Sequence, residues 1–266
     1  MNFLLFSLHV LIQECFLPVM KLIAMFKAEV NMISFFERGC LIFSLLMVVA
    51  CHGGPKTTAL DGSQNIYMPD NMYSQLKEQI ADFPRDGSSA QAADERELRQ
   101  AQKNRTALDC QRAATEVEVT LQNLYGEPYG ILTADQVKTL TPLFDQIRHD
   151  GGAYIAQVKK GYSRLRPYEY LKDLNPCIRH ETSFAYPSGH ATLAYLYAQV
   201  LIDLFPTQKI KLQKRAEQIG HDRVLGGVHH PSDIASGQKL GFALYGEIKK
   251  SKAYNDDIAR YQNQIK

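Results

Sequence analysis

The sequence has 266 residues, 45% of them hydrophobic, which predicts one sizeable core preceded by a leader. Its 30 Lys and Arg residues nearly balance 28 Asp and Glu residues, and the formal net charge of +2 argues against a nucleic-acid binder or a polybasic membrane-surface protein. No internal repeat is apparent, which argues against solenoid and propeller architectures. Any function that depends on positive charge must therefore be local.

Residues 1–50 differ from the rest of the chain and predict a leader. The apolar stretch at residues 41–50 is too short to span a bilayer but has the length of a signal-peptide core. It runs into Val48-Val49-Ala50-Cys51, which resembles a bacterial lipobox, so Cys51 is the predicted lipidation site. A start at Met32 gives a normal signal length, with everything before it as an upstream extension. The alternative is that residues 41–50 form an uncleaved anchor or a buried helix.

Two segments follow the predicted cleavage site. Residues 51–65 are polar and contain glycine, a composition typical of a flexible tether between a lipid and a folded body. Residues 66–266 are the predicted catalytic domain. The expected location is the periplasm, with attachment to the membrane through the lipid alone.

If the chain is exported, the cysteine count predicts which cysteines remain in the mature protein. Of the five cysteines, two leave with the leader and Cys51 is lipidated, so Cys110 and Cys177 remain. In an oxidising compartment they form either a disulfide or two buried thiols. Spacing alone leaves both alternatives open, because it does not show how close the two Cα atoms come.

The first half of the predicted domain has a helical pattern. Residues 94–122 are rich in Ala, Glu, Gln, Leu and Arg, which favour helix. Thr133 and Gln136 have the spacing of an N-terminal capping box, and this helix is expected to run towards Ser163.

The second half is also predicted to be helical. Apolar residues recur at three- and four-residue steps after His190, which predicts an amphipathic helix that stops at Pro206. A last helix is expected after Pro231, with Gly237 and Gly241 allowing close packing. No segment has a convincing sheet pattern, so the predicted fold is an all-α helical bundle.

The first of three informative blocks contains Lys159 and Arg166-Pro167. A separation of seven residues is about two helical turns, so both cations are expected on one helix face, with Pro167 ending the helix nearby. The block predicts a pair of cations directed at the same ligand.

The second block is Pro187-Ser188-Gly189-His190, directly before a predicted helix. A helix N-terminus offers unpaired N–H groups and a positive dipole end, and Gly189 lets an anion approach the backbone. Ser188 and Gly189 are therefore predicted to cradle phosphate, with His190 beside it.

The third block contains Arg223, His229 and Asp233. An Asp four residues beyond a His can accept from its Nδ1–H, which leaves Nε2 free to attack. His229 is the predicted nucleophile, Asp233 orients it, and Arg223 adds a third phosphate-binding cation.

Together the blocks contain the groups that phosphoryl transfer requires. The cations and the cradle neutralise the transferring group, where electrostatic stabilisation contributes most. His229 attacks phosphorus, and His190 protonates the leaving oxygen and then activates the water that hydrolyses the phosphohistidine. This scheme needs neither a metal nor a cofactor.

These blocks resemble the signature of the superfamily that joins type 2 phosphatidic acid phosphatases, bacterial class A non-specific acid phosphatases and vanadium haloperoxidases. The similarity covers residues 136–246. Arg166-Pro167-Tyr168, Tyr186-Pro187-Ser188-Gly189-His190 and Gly227-Val228-His229 are most similar to the class A enzymes, and identities at fixed spacings make the signal specific. The resemblance implies an all-α fold and the same roles for the residues named above.

One position departs from the family pattern. Relatives usually have Ser before the third-block arginine, whereas this chain has Asp222. A carboxylate facing the site would weaken phosphate binding and shift the pH optimum. A carboxylate facing away would satisfy backbone N–H groups as Ser does, and we favour this second interpretation.

The predicted function is that of an exported acid phosphatase acting on small phosphomonoesters. The alternatives are a phosphatase of lipid-linked phosphates or pyrophosphates, a vanadium-dependent haloperoxidase, and a non-catalytic phosphate-binding lipoprotein. The natural substrate and the oligomeric state do not follow from the sequence, and a homo-oligomer is left open. Five other histidines have no predicted role: His52, His149, His180, His221 and His230.

Overall fold

The structure is a computed structural model that describes residues 65–265. The predicted leader, the lipidation of Cys51 and nearly all of the predicted tether lie outside the described residues. Within residues 65–265, no helix is long and apolar enough to cross a membrane.

The described residues form an all-α fold, as predicted, without a strand. A single isolated bridge joins Gly126 and Leu132. The α-helices are α1 (Tyr73–Glu78), α2 (Ser89–Asn104), α3 (Ala107–Thr115), α4 (Leu121–Tyr125), α5 (Ala134–Tyr162), α6 (Pro167–Tyr170), α7 (Gly189–Leu204), α8 (Lys209–Leu225), α9 (Pro231–Ile248) and α10 (Lys252–Gln264), with a 3₁₀ turn at Pro206–Gln208.

Helix α7 is the central helix of the bundle. It is apolar around nearly its whole circumference, as a helix enclosed by others must be, and it packs most extensively against α9 and α8. The glycines predicted to allow close packing lie at this contact. A Cβ at Gly237 would come within 2.6 Å of the Ser188 carbonyl, and one at Gly241 within 2.6 Å of the Thr192 carbonyl. The two backbones therefore approach more closely than side chains would allow.

Local capping explains where helix α5 begins and ends. Thr133 and Gln136 form the predicted capping box, and the helix runs to Tyr162. It stops because Ser163 adopts a left-handed conformation with φ of 52°.

The helical pattern of residues 94–122 is divided between helices, because Thr106 and Asp109 form a capping box that starts α3 only three residues after α2 ends. One helical prediction needs correction. Helix α9 is not the last helix, because Ser251 caps α10 beyond it.

Cys110 and Cys177 are joined by a disulfide bond. The bond ties α3 to the irregular segment between α6 and α7. That segment also carries backbone atoms that contact the candidate site.

Candidate active site

His229 lies in the short connection between α8 and α9. Helix α8 ends at Leu225, and Gly227 then adopts φ of 81°, a conformation that favours glycine. Pro231 begins α9 at its first position, where a missing N–H has no cost. Strong local signals on both sides therefore fix the backbone that presents His229.

His229 and Asp233 form the buried centre of the site. His229 Nδ1 is 3.2 Å from Asp233 Oδ2, and Arg166 Nη1 donates to His229 Nε2 at 2.8 Å. Because a guanidinium can only donate, Nε2 carries the lone pair and Nδ1 carries the proton. Burial, together with the charge of Arg166, lowers the pKa of His229 well below its usual value. The imidazole is therefore held neutral in the tautomer that a nucleophile at Nε2 requires.

Asp233 accepts two further hydrogen bonds, one from the His230 amide at 2.8 Å and one from Arg164 Nη1 at 2.6 Å. Burial alone would raise the pKa of Asp233, but hydrogen bonds from His229 and His230 and the charge of Arg164 hold it well below its usual value. Arg164 also bonds Asp94 Oδ2 at 3.1 Å. Arg164 was not predicted from the sequence, although its position two residues before Arg166 was a usable signal.

Arg166 does not share a helix with Lys159, so that prediction is wrong. The left-handed Ser163 ends α5 before Arg166, which instead caps the short helix α6. The two cations nevertheless meet, because both donate to neighbouring carbonyls of one loop. Arg166 Nε donates to Ser183 O at 2.9 Å, and Lys159 Nζ donates to Phe184 O at 2.6 Å.

Lys159 is buried, and burial lowers its pKa to about 7, with the charge of Arg166 acting in the same direction. The protonation of Lys159 therefore depends on the charges around it. A bound anion would offset both effects and stabilise the charged form.

His190 presents a defined nitrogen to the site. Its Nε2 is 3.1 Å from the Val117 carbonyl, which can only accept, so Nε2 carries a proton. Nδ1 lies 3.8 Å from Glu181 Oε1, the oxygen that also accepts from Arg223 Nη2. Burial, with the charge of Arg223, lowers the pKa of His190 to about 3.

The predicted cradle at the start of α7 is partly used within the protein. Ser188 caps the helix by accepting from the Ala191 amide, and its own N–H donates to the Asp233 carbonyl at 3.0 Å. The following amides, of Gly189 and His190, lie in the first turn, where a helix offers no backbone acceptor. A Cβ at Gly189 would be 3.5 Å from Lys159 Cε, so the cradle lies against that lysine.

Arg223 has unused donors. It is fully buried near the end of α8, and its Nη2 donates to Glu181 Oε1 at 2.6 Å. Its Nε and Nη1 are buried without a hydrogen-bond partner among the described residues. Because buried guanidinium donors are costly to leave unpaired, this arrangement suits an anionic ligand.

Glu181 is the second residue of the site that was not predicted from the sequence. Its carboxylate bonds Arg166 Nη2 at 2.7 Å through one oxygen and Arg223 Nη2 through the other. Burial favours the neutral acid, yet the positive charges of Arg166 and Arg223 help to hold the pKa of Glu181 well below its usual value. No local pattern marks this residue, because its partners come from other elements.

Asp222 forms an ion pair with Arg112 rather than with the cations of the site. Both of its oxygens accept from the Arg112 guanidinium, at 2.7 and 2.6 Å. The favoured interpretation, that it faces away from the site, therefore agrees with its contacts. The expected partner was wrong, since Asp222 bonds a side chain of α3 rather than backbone amides.

One of the histidines without a predicted role is part of the site's surroundings. His230 is buried, its Nε2 is 2.8 Å from the Tyr170 hydroxyl, and its Nδ1 is 3.4 Å from Asp233 Oδ2. The hydrogen bond from His230 to Asp233 comes from its backbone amide, which donates to Asp233 Oδ2 at 2.8 Å.

The fold and the site together define an all-α protein with a buried imidazole, its carboxylate partner and three cations that suit a phosphate-like anion. Residues 151–256 match the family model described as PAP2 superfamily, and all three sequence blocks lie inside that segment. Over these residues, the chain is similar to the PAP2 superfamily.

Curated proteins and solved structures include similar chains. The chain is 28% identical to a non-specific acid phosphatase of Providencia stuartii, over 60% of its own length and 65% of that protein. It is 30% identical to a lipid A 1-phosphatase of Rhizobium etli, over 32% of its own length and 38% of that protein. A bacterial vanadium-dependent iodoperoxidase has a similar fold, with a TM-score of 0.50 at 14% identity, covering 69% of this chain and 54% of that one. The chain spans 65% of the length of the non-specific acid phosphatases that it matches.

Proposed function

We propose that the protein is an exported acid phosphatase that hydrolyses phosphomonoesters through a phosphohistidine on His229. The observation that carries the proposal is the buried pair of His229 and Asp233 beside three cations, Lys159, Arg166 and Arg223. Phosphoryl transfer depends mainly on positioning and on stabilisation of negative charge, which these groups supply. The names of the acid phosphatase relatives support the same reaction class.

In the proposed reaction, His229 Nε2 forms a bond to phosphorus while the ester P–O bond breaks. Asp233 accepts from Nδ1–H and stabilises the positive charge that develops on the imidazole. His190 Nδ1, in its protonated form, gives its proton to the leaving oxygen. In the second half, His190 takes a proton from water, which attacks phosphorus and releases phosphate and neutral His229.

The pKa shifts support activity on the acid side. Because the pKa of His229 is lowered, its Nε2 lone pair persists as the pH falls below about 6.5, where an ordinary histidine becomes protonated. The pKa of His190 is also lowered, to about 3. A phosphate dianion beside Nδ1 adds negative charge, which raises this pKa and favours the acid form that the first step requires.

The test is hydrolysis of a chromogenic phosphomonoester between about pH 4 and 8 in excess chelator. We expect chelator-resistant activity on the acid side that falls at least about 10³-fold in His229→Ala. His221→Ala, which removes an exposed histidine of α8, is the matched control and should keep wild-type activity. Quenching during turnover with an alkaline denaturant, in which the P–N bond of phosphohistidine persists, should leave phosphate on the wild-type protein but not on His229→Ala. Full activity in His229→Ala would overturn the proposed nucleophile.

A second candidate function is hydrolysis of lipid-linked phosphates. Leu165 and Phe184 are both exposed, 52% and 38%, although each neighbours a residue that contacts the site. A hydrogen bond from the Ala185 amide to the Arg164 carbonyl joins the two backbone segments that carry Leu165 and Phe184. The lipid A phosphatase relative supports this candidate. A strong preference for long-chain over short-chain alkyl phosphates, lost in Leu165→Ser/Phe184→Ser, would favour it, and equal rates would exclude it.

Export and lipid anchoring complete the proposal. They rest on the lipobox-like sequence before Cys51. Peptide mapping of the protein from the membrane fraction should find a lipidated N-terminal Cys51. An unmodified Cys51 still joined to Ala50 would contradict the lipoprotein assignment.

A further inference from the structure

Glu181 occupies the centre of the cationic cluster in a way that resembles a bound anion. Its two oxygens divide between the two arginines, Oε2 at 2.7 Å from Arg166 Nη2 and Oε1 at 2.6 Å from Arg223 Nη2. Two oxygens of a phosphate group would use the same donors, because guanidinium groups bind carboxylate and phosphate with similar geometry.

The carboxylate also lies beside the predicted acid. Oε1 is 3.8 Å from His190 Nδ1, the ring nitrogen that does not contact the Val117 carbonyl. In the proposed reaction this is where the leaving oxygen must lie. At the same time, Arg166 covers His229 Nε2, and the His229 side chain is fully buried. An anion that reaches His229 must therefore displace the contacts between Glu181 and the arginines.

We propose that the Glu181 carboxylate is an internal competitor that holds the anion site in the ligand-free protein and leaves it when a phosphate group binds. The inference rests on the proposed function for the identity of the ligand. It assigns Glu181 control over phosphate affinity rather than a step in bond breaking.

The loop that carries Glu181 allows this exchange without refolding. The Tyr168 hydroxyl binds both the Glu181 amide, at 3.1 Å, and the Glu181 carbonyl, at 2.9 Å. The backbone is therefore held in place, and rotation of the side chain is sufficient. The carboxylate has a route to solvent, because the Glu181 side chain is 20% exposed and Thr182 and Ser183 beside it are exposed.

The competition is expected to weaken phosphate binding by a measurable amount. A phosphate group gains the two arginines only after two charge-assisted hydrogen bonds to Glu181 have been broken, and a displaced carboxylate still repels the anion. Glu181→Gln keeps the size of the side chain but removes its charge. We expect inorganic phosphate to bind this variant at least about tenfold more tightly than it binds the wild type.

The experiment is calorimetric titration of the full protein with inorganic phosphate. The matched control is Glu118→Gln, which also removes a carboxylate bound to an arginine, Arg179, but at an exposed position near the same loop. We expect tighter binding in Glu181→Gln, no more than about a twofold change in Glu118→Gln, and a KM for phosphomonoesters that falls in step with the dissociation constant. Unchanged or weaker binding in Glu181→Gln would overturn the proposal, because it would mean that Glu181 positions the arginines for the ligand.

A second measurement does not depend on the folding of a variant. In a crystal structure of the wild type with phosphate bound, we expect both Glu181 oxygens to lie beyond about 4 Å from the two arginines. Bound phosphate with both Glu181 contacts intact would overturn the inference. Tighter phosphate binding by Glu181→Gln in a protein that hydrolyses no phosphomonoester would reject the proposed function and leave this inference standing.

Discussion

Asp233 shows how one buried carboxylate can be kept ionised by its donors. It accepts from His229, from the His230 amide and from Arg164, and it has no exposure to solvent. Arg164 is shared with Asp94, so one buried guanidinium neutralises two buried carboxylates. Removing one partner from a buried ion pair of this kind is destabilising, because the remaining charges stay buried without a partner.

Replacing Arg164 with methionine should therefore destabilise the fold by about 3–5 kcal/mol. The measurement is the free energy of unfolding in urea. Arg99→Met is the matched control, since Arg99 also bonds two carboxylates but is 39% exposed beside the largely exposed Asp173, and it should cost no more than about 1 kcal/mol. Equal losses in the two variants would contradict the role given to Arg164.

At the scale of elements, the contact between α9 and α7 positions both parts of the site. The first turn of α9 carries Asp233, and the first turn of α7 carries His190. Gly237 lies one turn beyond Asp233 and packs on the Ser188 carbonyl, so the distance between the two helix starts depends on the absence of a Cβ.

Gly237→Ala should force the two helix starts apart. A methyl group there would lie 2.6 Å from a backbone oxygen and 2.9 Å from Ala191 Cβ, and we expect a loss of about 1–3 kcal/mol in unfolding free energy together with weaker phosphate binding. Gly246→Ala in the same helix meets no atom within 4 Å and should be neutral or stabilising by up to about 1 kcal/mol. Denaturant unfolding of both variants tests the contrast, and a stabilised Gly237→Ala would refute it.

For the whole molecule, the disulfide between Cys110 and Cys177 closes a long segment. The two cysteines are 67 residues apart, and the segment includes α4, α5 and α6. A cross-link over such a length restricts the unfolded chain strongly, and it keeps the Glu181 loop close to α3 in the folded state.

The double variant Cys110→Ser/Cys177→Ser should lose about 4 kcal/mol of unfolding free energy, on the entropy expected for this loop length. Reducing agent should produce a similar loss in the wild type and none in the variant. Unfolding curves that do not respond to reductant in either protein would show that the bond does not contribute.

Local interactions determined the features that the sequence predicted correctly. The capping box at Thr133 and Gln136 involves residues three apart, and the stop at Pro206 follows from proline geometry. The pairing of His229 with Asp233 needs only the four-residue spacing at a helix start. Family-like spacing within the three blocks also predicted the candidate site residues from short-range patterns.

Only the tertiary structure decided which charges meet. Three ion pairs join residues that are far apart in the sequence. Arg164 bonds Asp94 at a separation of 70 residues, Arg223 bonds Glu181 at 42, and Arg112 bonds Asp222 at 110. The left-handed conformation of Ser163 ends α5 before Arg166, yet packing places Arg166 and Lys159 on neighbouring carbonyls of one loop. Such contacts depend on how helices pack, which no short-range pattern encodes. The sequence by itself therefore determined the helices and the chemical groups of the site, and the packing of those helices placed Glu181 among its cations.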